Sequence, residues 1–443
     1  MLLVYKYKIT WLKELEILCE VSNNLYNQAM FVIKRELSKN HIWLRYDDLN
    51  KMLKNTENLE GSVNYRLLKA QVSQQILKKV DSNWSSYFRS IKEYKKNPNK
   101  FTGQPKSPNF KKKQGLNWLI YTNQSCQIKN NFIVLSKTLK IYIPEYKGKD
   151  FTKFQQVRII PKDRYFEVEI VYNQECSSPE LDILSYFSID LGVNNFASCV
   201  SKYGCFLLNG KVMKSVNQYF NKETSYLKSI QTKRVESNKK EHKRRTINQA
   251  KIRSLLCYRN DFIKDSLHKY SKEIIRFCIE NKIGNIVVGY NQSWKNQSDL
   301  GKVNNQNFQA LPFLQFINYL KYKAELVGIK IIEIEESYTS KCDSLSFESL
   351  EHHEKYLGKR KKRGLFQSSI GKLINADVNG SLNILRKVIG DSDGEIQKII
   401  NSGFLFNPVK IRTNNCLSDF YKERSINSKH AEFNNFVNVL IQN

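Results

Sequence analysis

No Cys-x-x-Cys pair occurs in this 443-residue chain, although it has nine cysteines. They are scattered (19, 126, 176, 199, 205, 257, 278, 342 and 416) and odd in number. Neither a disulfide framework nor a cysteine-rich zinc site is supported, and a reducing cytoplasm is the compartment that fits. No stretch approaches the ~20 apolar residues of a membrane span. The first eleven residues interleave Lys with apolar residues and lack the core of a signal peptide. Repeats and low-complexity tracts are missing too. Acids are scarce: 42 Asp and Glu stand against 72 Lys and Arg, a net charge of +30. Such a surface repels itself unless a polyanion lies on it. Each cation that neutralises a phosphate also releases counterions, so nucleic acid is a better partner than none. A merely soluble basic protein is the plain alternative.

What is present is a globular pattern, 41% hydrophobic and long enough for two or three domains. Residues 3–9 alternate as a short strand. Leu12, Leu15, Leu18, Leu25, Ala29, Val32 and Leu37 then recur at helical spacing, as do Val72, Ile76, Val80, Trp84, Phe88 and Ile91. A basic loop over residues 95–113 follows, punctuated by Pro98, Pro105 and Pro108. Short alternating runs near 118–121, 132–135, 140–143, 157–160 and 166–171 predict a small sandwich or barrel, which strand 3–9 would join with the helices as an insertion. From about residue 183 the pattern predicts strands 186–190, 196–201 and 205–208, a helical stretch 220–282, strand 285–289, helix 312–327, strand 330–335 and a helix from Ala376 to about Ile389. That order, β-β-β-α-β-α-β-α, is the order of an RNase H-like α/β domain. The whole is a multidomain α+β chain. Residues beyond Gly390 carry little periodic signal.

The chemistry centres on two carboxylates. Asp190 ends the apolar strand Ser188-Ile189-Asp190-Leu191-Gly192, before a turn through Asn194 and Asn195. Asp377 opens a helix in Asn375-Ala376-Asp377-Val378-Asn379-Gly380-Ser381. Each has an ordinary reading: Asp190 capping its own turn, Asp377 complementing the helix dipole beside an Asn375 cap. Gly380 and Ser381 share the helical face of Asp377. Small residues there let the helix approach a sheet and bring Asp377 over Asp190. Together the pair suggests a composite metal site in a nuclease.

A two-metal phosphodiesterase needs a third hard oxygen ligand. The end of strand 285–289 reads Val288-Gly289-Tyr290-Asn291, without an acid. On the next strand Ile332, Ile334 and Glu336 share one face. If the two strands are parallel neighbours, Gly289 leaves room for the carboxylate of Glu336. Glu335 and Asp343 are alternatives, and a solvated acidic turn is the plain reading.

At this point the chain resembles the TnpB (OrfB) family, transposon-encoded RNA-guided DNA nucleases related to type V CRISPR effectors. The likeness rests on Leu25-Tyr26-Asn27-Gln28-Ala29, Gly103-Gln104-Pro105-Lys106-Ser107-Pro108-Asn109-Phe110, Ser188-Ile189-Asp190-Leu191-Gly192-Val193, Ser337-Tyr338-Thr339-Ser340 and the run from Asn375 to Ile384. The resemblance implies a wedge-like β-barrel (1–11 with 100–182) interrupted by a helical recognition domain (12–99). A RuvC-type nuclease domain (183–390) and a C-terminal extension (391–443) would follow. It implies a guide RNA from the transposon end, a double-stranded DNA target beside a short motif, and cleavage with two Mg²⁺ or Mn²⁺ ions. A cytoplasmic, nucleoid-associated location and a partnership with a separate transposase go with it. Asp190 and Asp377 match the family's first and last catalytic acids. Most members carry a catalytic Glu where this chain has Gly289, which marks a branch with the acid relocated to Glu336. The family's four-Cys zinc finger is reduced, over 342–374, to Cys342 with His352 and His353 nearby, so no structural zinc is expected.

Nine Lys or Arg lie between Lys233 and Arg253, against Glu236 and Glu241. Lys239, Lys240, Lys243, Arg244 and Arg245 are candidates for gripping a guide–target duplex through its backbone. Lys111, Lys112 and Lys113 in the basic loop, and Arg360 and Arg363 in a basic turn, are further candidates. Solvated helix faces and charge runs are the plain alternative. Trp43, Trp84, Trp118 and Trp294 are candidates for base stacking, with core packing the commoner fate. Two other functions compete with guided cleavage: a nuclease-inactive RNA-guided DNA-binding protein, and a transposase acting without RNA.

Overall fold

The computed structural model describes residues 1–144, 150–177, 179–232, 241–291, 302–391 and 394–411. The described chain divides into two compact units, one over residues 1–175 and one beginning at Cys176.

The first unit opens with β1 (Leu2–Thr10), followed by helices α1 (Lys13–Asn40), α2 (Tyr46–Leu53) and α3 (Ala70–Lys96). Leu15, Leu25, Ala29 and Val32 of α1, and Val72, Ile76, Val80 and Trp84 of α3, are buried, as helical spacing requires. Strands β2 (Leu119–Thr122), β3 (Gln127–Lys129), β4 (Phe132–Val134), β5 (Lys140–Tyr142), β6 (Phe154–Pro161) and β7 (Tyr165–Asn173) complete it. Strand β1 pairs antiparallel with β7, so the helices fall between strands of one sheet, in the order β1-β7-β6-β2. The expected barrel is not formed among the described residues. The four-stranded sheet stays open at β1 and β2, and β3-β4-β5 form a separate small sheet. Three-residue strands such as β3 to β5 are too short to close the larger sheet into a barrel.

The second unit contains β8 (Asp182–Leu191), β9 (Asn195–Ser201), β10 (Gly204–Asn209), α4 (Lys211–Thr232), α5 (Glu241–Glu280) and β11 (Ile283–Gly289). Next come α6 (Lys302–Gln309), α7 (Phe313–Leu326), β12 (Lys330–Ile334), β13 (Lys359–Lys362), β14 (Leu365–Gln367) and β15 (Leu373–Asn375). Helices α8 (Ala376–Ile389) and α9 (Glu395–Asn401) and strand β16 (Val409–Ile411) end it. Six strands form one mixed sheet in the order β12-β11-β8-β9-β10-β16. Strand β11 runs parallel to both neighbours, β8 and β12. All seven of its residues are buried, as expected of a parallel strand covered on both faces. Helix α8 packs on β8, β9 and β11. The segment after Gly390, silent in the sequence pattern, supplies the edge strand β16 beside β10. Among the described residues no helix is long and apolar enough to cross a membrane.

Candidate active site

The site forms where β8, β11 and α8 meet. Asp190 sits one residue before the end of β8. The pairing of Ile189 with Val288 sets it level with Gly289, the last residue of β11. From the other side Gly380 of α8 comes so close that a Cβ there would lie 2.6 Å from Asp190 Oδ2. The missing side chain at Gly380 thus lets the helix close on this carboxylate. A buried contact between the Ser188 and Ser381 hydroxyls, 3.0 Å apart, fixes α8 on β8 right beside it.

Asp377 occupies the first turn of α8. The Asn375 side chain caps the helix, accepting from the Asp377 amide at 2.9 Å and from the Val378 amide at 3.4 Å. With its backbone held, the Asp377 carboxylate turns to Asn195, whose Nδ2 donates to Oδ2 at 2.7 Å. Asn195 reads in the sequence as a turn residue. Its contact with a carboxylate 182 positions away is visible only in the fold.

Glu336 reaches the same place from the loop after β12. The register of Gly289 with Ile334 is parallel. Glu336 lies two residues further along on the same face, and its carboxylate fills the space that a side chain at Gly289 would occupy. Its Oε1 is enclosed and has no hydrogen-bond partner. The alternatives go elsewhere. Glu335 is exposed and accepts from its neighbour Ser337 at 2.8 Å. Asp343 is buried, yet hydrogen bonds from the Ser369 amide and the Ser368 and Ser369 hydroxyls hold its carboxyl below the usual range.

Electrostatics links Asp190 to each of the other two acids. Burial, then the charge of Asp377, pushes the Asp190 carboxyl well up, while the Arg360 guanidinium opposes the shift. Burial, then the charge of Asp190, pushes Glu336 up to about 10, and Lys387 opposes that. Like charges crowded at low dielectric are costly without a cation between them. Among the described residues no three His, Cys, Asp or Glu side chains already surround one ion position. The donor set nonetheless suits a hard divalent cation: three carboxylates, one with an orphan oxygen that costs roughly 1–3 kcal/mol when left unpaired. Each of the three residues keeps some exposed surface, while the Glu336 Oε1 itself is enclosed.

The basic candidates fall in several places. Arg360, on the exposed strand β13, carries its charge near Asp190. Arg363 follows in the β13–β14 turn, before Gly364 at φ 80. Lys111 is tied to the first unit's own core. Its ammonium donates to Asn117 at 2.7 Å and lies over the Tyr26 ring, and burial lowers its pKa. Lys112 and Lys113 are exposed. Lys239, Lys240 and Trp294 lie outside the described residues. Lys243, Arg244 and Arg245 lie on the backbone of α5. Trp84 is buried and packs on Phe88, as does Trp43. Trp118 lies under Lys79. The Cys342 thiol donates to the Glu351 carbonyl at 3.8 Å, whereas His353 turns to Ser349.

Residues 169–295 match the OrfB family model, described as a probable transposase, and residues 313–384 match the Cas12f1-like TNB domain. A TnpB-like protein, ORF457 of Acidianus two-tailed virus, is 27% identical over 221 residues. Over these segments the chain is similar to TnpB-like proteins and to a Cas12f1-like domain. The two matched segments carry Asp190 and Asp377 respectively. The match to ORF457 covers 48% of this chain and 43% of that protein, so the chain spans less than half of that relative's length. The fold is shared with Cas12f1, whose cryo-EM structure with sgRNA and target DNA aligns at a TM-score of 0.52. That alignment covers 85% of this chain and 83% of the other, at 17% identity.

Proposed function

We propose that this chain, similar to TnpB-like proteins, is an RNA-guided DNA endonuclease that hydrolyses phosphodiester bonds with Asp190, Glu336 and Asp377 as metal ligands. The observation that carries the reading is the partnerless buried Oε1 of Glu336 beside Asp190, in the space left by Gly289. In this reading the six-stranded sheet with α8 is the RNase H-like, RuvC-type domain. Residues 12–99 form the recognition domain, and the guide derives from the transposon end. The similarity to TnpB-like proteins and the net charge of +30 support RNA and DNA as partners. Bound Mg²⁺ or Mn²⁺ would polarise the scissile phosphate and activate water. The protein's own part is positional. Asn195 orients Asp377, Gly289 and Gly380 clear space for carboxylates, and Arg360 draws a phosphate toward the acids.

The RNA that co-purifies with the protein is sequenced, and a plasmid carrying the matching target beside a randomised flank is offered with Mg²⁺. Cleavage that depends on the RNA, on one flanking motif and on Asp190 supports the reading. Guided binding without cutting, in both Mg²⁺ and Mn²⁺, overturns it in favour of a nuclease-inactive DNA-binding protein. Cutting without RNA points instead to a transposase acting alone.

A further inference from the structure

We propose that one polar face of α8 is a clamp that holds the Glu336 loop over Asp190, with Lys387 as its decisive positioning residue. The inference rests on the reading of Glu336 as a ligand-bearing acid. Strand β12 ends at Ile334, so Glu336 has no sheet partner to fix it. The two residues flanking it are gripped instead. Lys387 Nζ donates to the carbonyl of Glu335 at 3.0 Å and to that of Ser337 at 2.7 Å. Further along the loop, Asn383 Nδ2 donates to the carbonyls of Thr339 and Cys342, both at 2.8 Å. Asn379 Nδ2 donates to the Cys342 carbonyl at 2.9 Å, while its Oδ1 accepts from the Ser344 amide and hydroxyl. Arg386, itself buried, donates to the Glu348 carbonyl at 3.0 Å.

Residues 379, 383, 386 and 387 follow the i, i+4, i+7, i+8 spacing of one helical face. Their bonds to the loop are made almost entirely to main-chain groups, so the helix fixes the backbone path of the loop. The loop is strained as well as gripped. Tyr338, two residues after Glu336, has φ 66, in the left-handed region. Such a conformation persists where its surroundings over-determine it, and it clusters at functional sites. Helix α8 also carries Asp377. One rigid element therefore sets the position of Glu336 relative to Asp377, which a separate strand would otherwise have to do.

The test compares the wild type with Lys387→Met, Lys387→Arg and Glu336→Gln, each purified with its RNA. Single-turnover cleavage of the matched plasmid in Mg²⁺ is read beside hydrogen exchange of the same preparations. Lys387→Met is expected to cut roughly 10- to 100-fold more slowly, the usual cost of losing support behind a metal ligand. Guided binding stays unchanged. Amide exchange accelerates across residues 336–342 while α8 remains protected. Lys387→Arg, which keeps the charge and the donors, recovers both readouts. A Lys387→Met protein that cuts at the wild-type rate, or that slows without faster exchange in the loop, overturns the clamp. Normal cutting by Glu336→Gln overturns the reading beneath it, and an inactive Glu336→Gln beside a fully active Lys387→Met overturns the clamp alone.

Discussion

Two regions of the second unit deliver carboxylates to one place by different means. Asp190 and Asp377 stand on the frame itself, at the end of a core strand and in the first turn of a core helix. Glu336 stands on a loop and depends on what grips that loop and on what is missing opposite it. The difference teaches that a loop can bring an acid beside a core strand when the strand position next to it has no side chain and the loop backbone is held from elsewhere.

The largest expected effect separates the two kinds directly. Asp190→Ala and Asp377→Ala each lower guided cleavage by on the order of 10³-fold or more, as expected when a group that holds catalytic charge is lost. Guided DNA binding, measured by mobility shift, is retained. Retained cleavage in either variant would dissolve the distinction between frame and loop.

A smaller effect probes the vacancy. Gly289→Ala places a Cβ into the Glu336 carboxylate and 2.5 Å from Ile384 Cδ1. The loop acid must move, because β11 is buried between two parallel strands. Overpacking of this kind costs about 1–3 kcal/mol, and cleavage falls together with the melting temperature. Unchanged cleavage in Gly289→Ala would mean that the Glu336 carboxylate does not need its present position. Asn195→Ala comes next: Asp377 keeps its backbone cap but loses the donor on Oδ2. A drop of roughly tenfold in cleavage, with a higher Mg²⁺ requirement and unchanged melting, is expected of lost second-layer support.

The sequence makes the frame readable because its cues are local. Alternation marks β8 and a short apolar run marks β11, helical spacing and the Asn375 cap mark α8, and the parallel pairing of 285–289 with 330–334 follows from two apolar strands bridged by a helix. The gap at Gly289 and the face shared by Ile334 and Glu336 are readable for the same reason. The supports are not. Lys387, Asn383 and Asn379 reach main-chain carbonyls, and a carbonyl has no residue type to betray it. Asn195 is hidden by its second role as a turn former. Strand β16 is three residues long, too short to show a period, and it finds its place only because β10 offers a free edge. The barrel expected of the first unit fails on a related point, since alternation shows that strands exist without showing whether they close.

The smallest effect concerns proton linkage. The carboxyls of Asp190 and Glu336 are both raised in the folded chain, by burial first and by neighbouring acids second. A raised acid stays protonated in the fold after it has ionised in the unfolded chain. Its contribution to stability is therefore full below the unfolded value, near 4.3 for Glu. It declines as pH rises toward the folded value of about 10 for Glu336. In EDTA the melting temperature should fall between pH 5 and pH 9, counted against the background of all other groups. Glu336→Gln, which cannot ionise, should flatten part of that slope and melt about 2–4 °C higher at pH 8, the equivalent of ~1 kcal/mol in a domain of this size. Added Mg²⁺ should reverse the order, because a cation among the three acids favours their ionised forms and binds more tightly as protons leave. The comparison between frame and loop then acquires a thermodynamic measure. If Glu336→Gln leaves the metal-free slope unchanged, the loop-borne carboxylate is not in the enclosed environment that the vacancy at Gly289 creates.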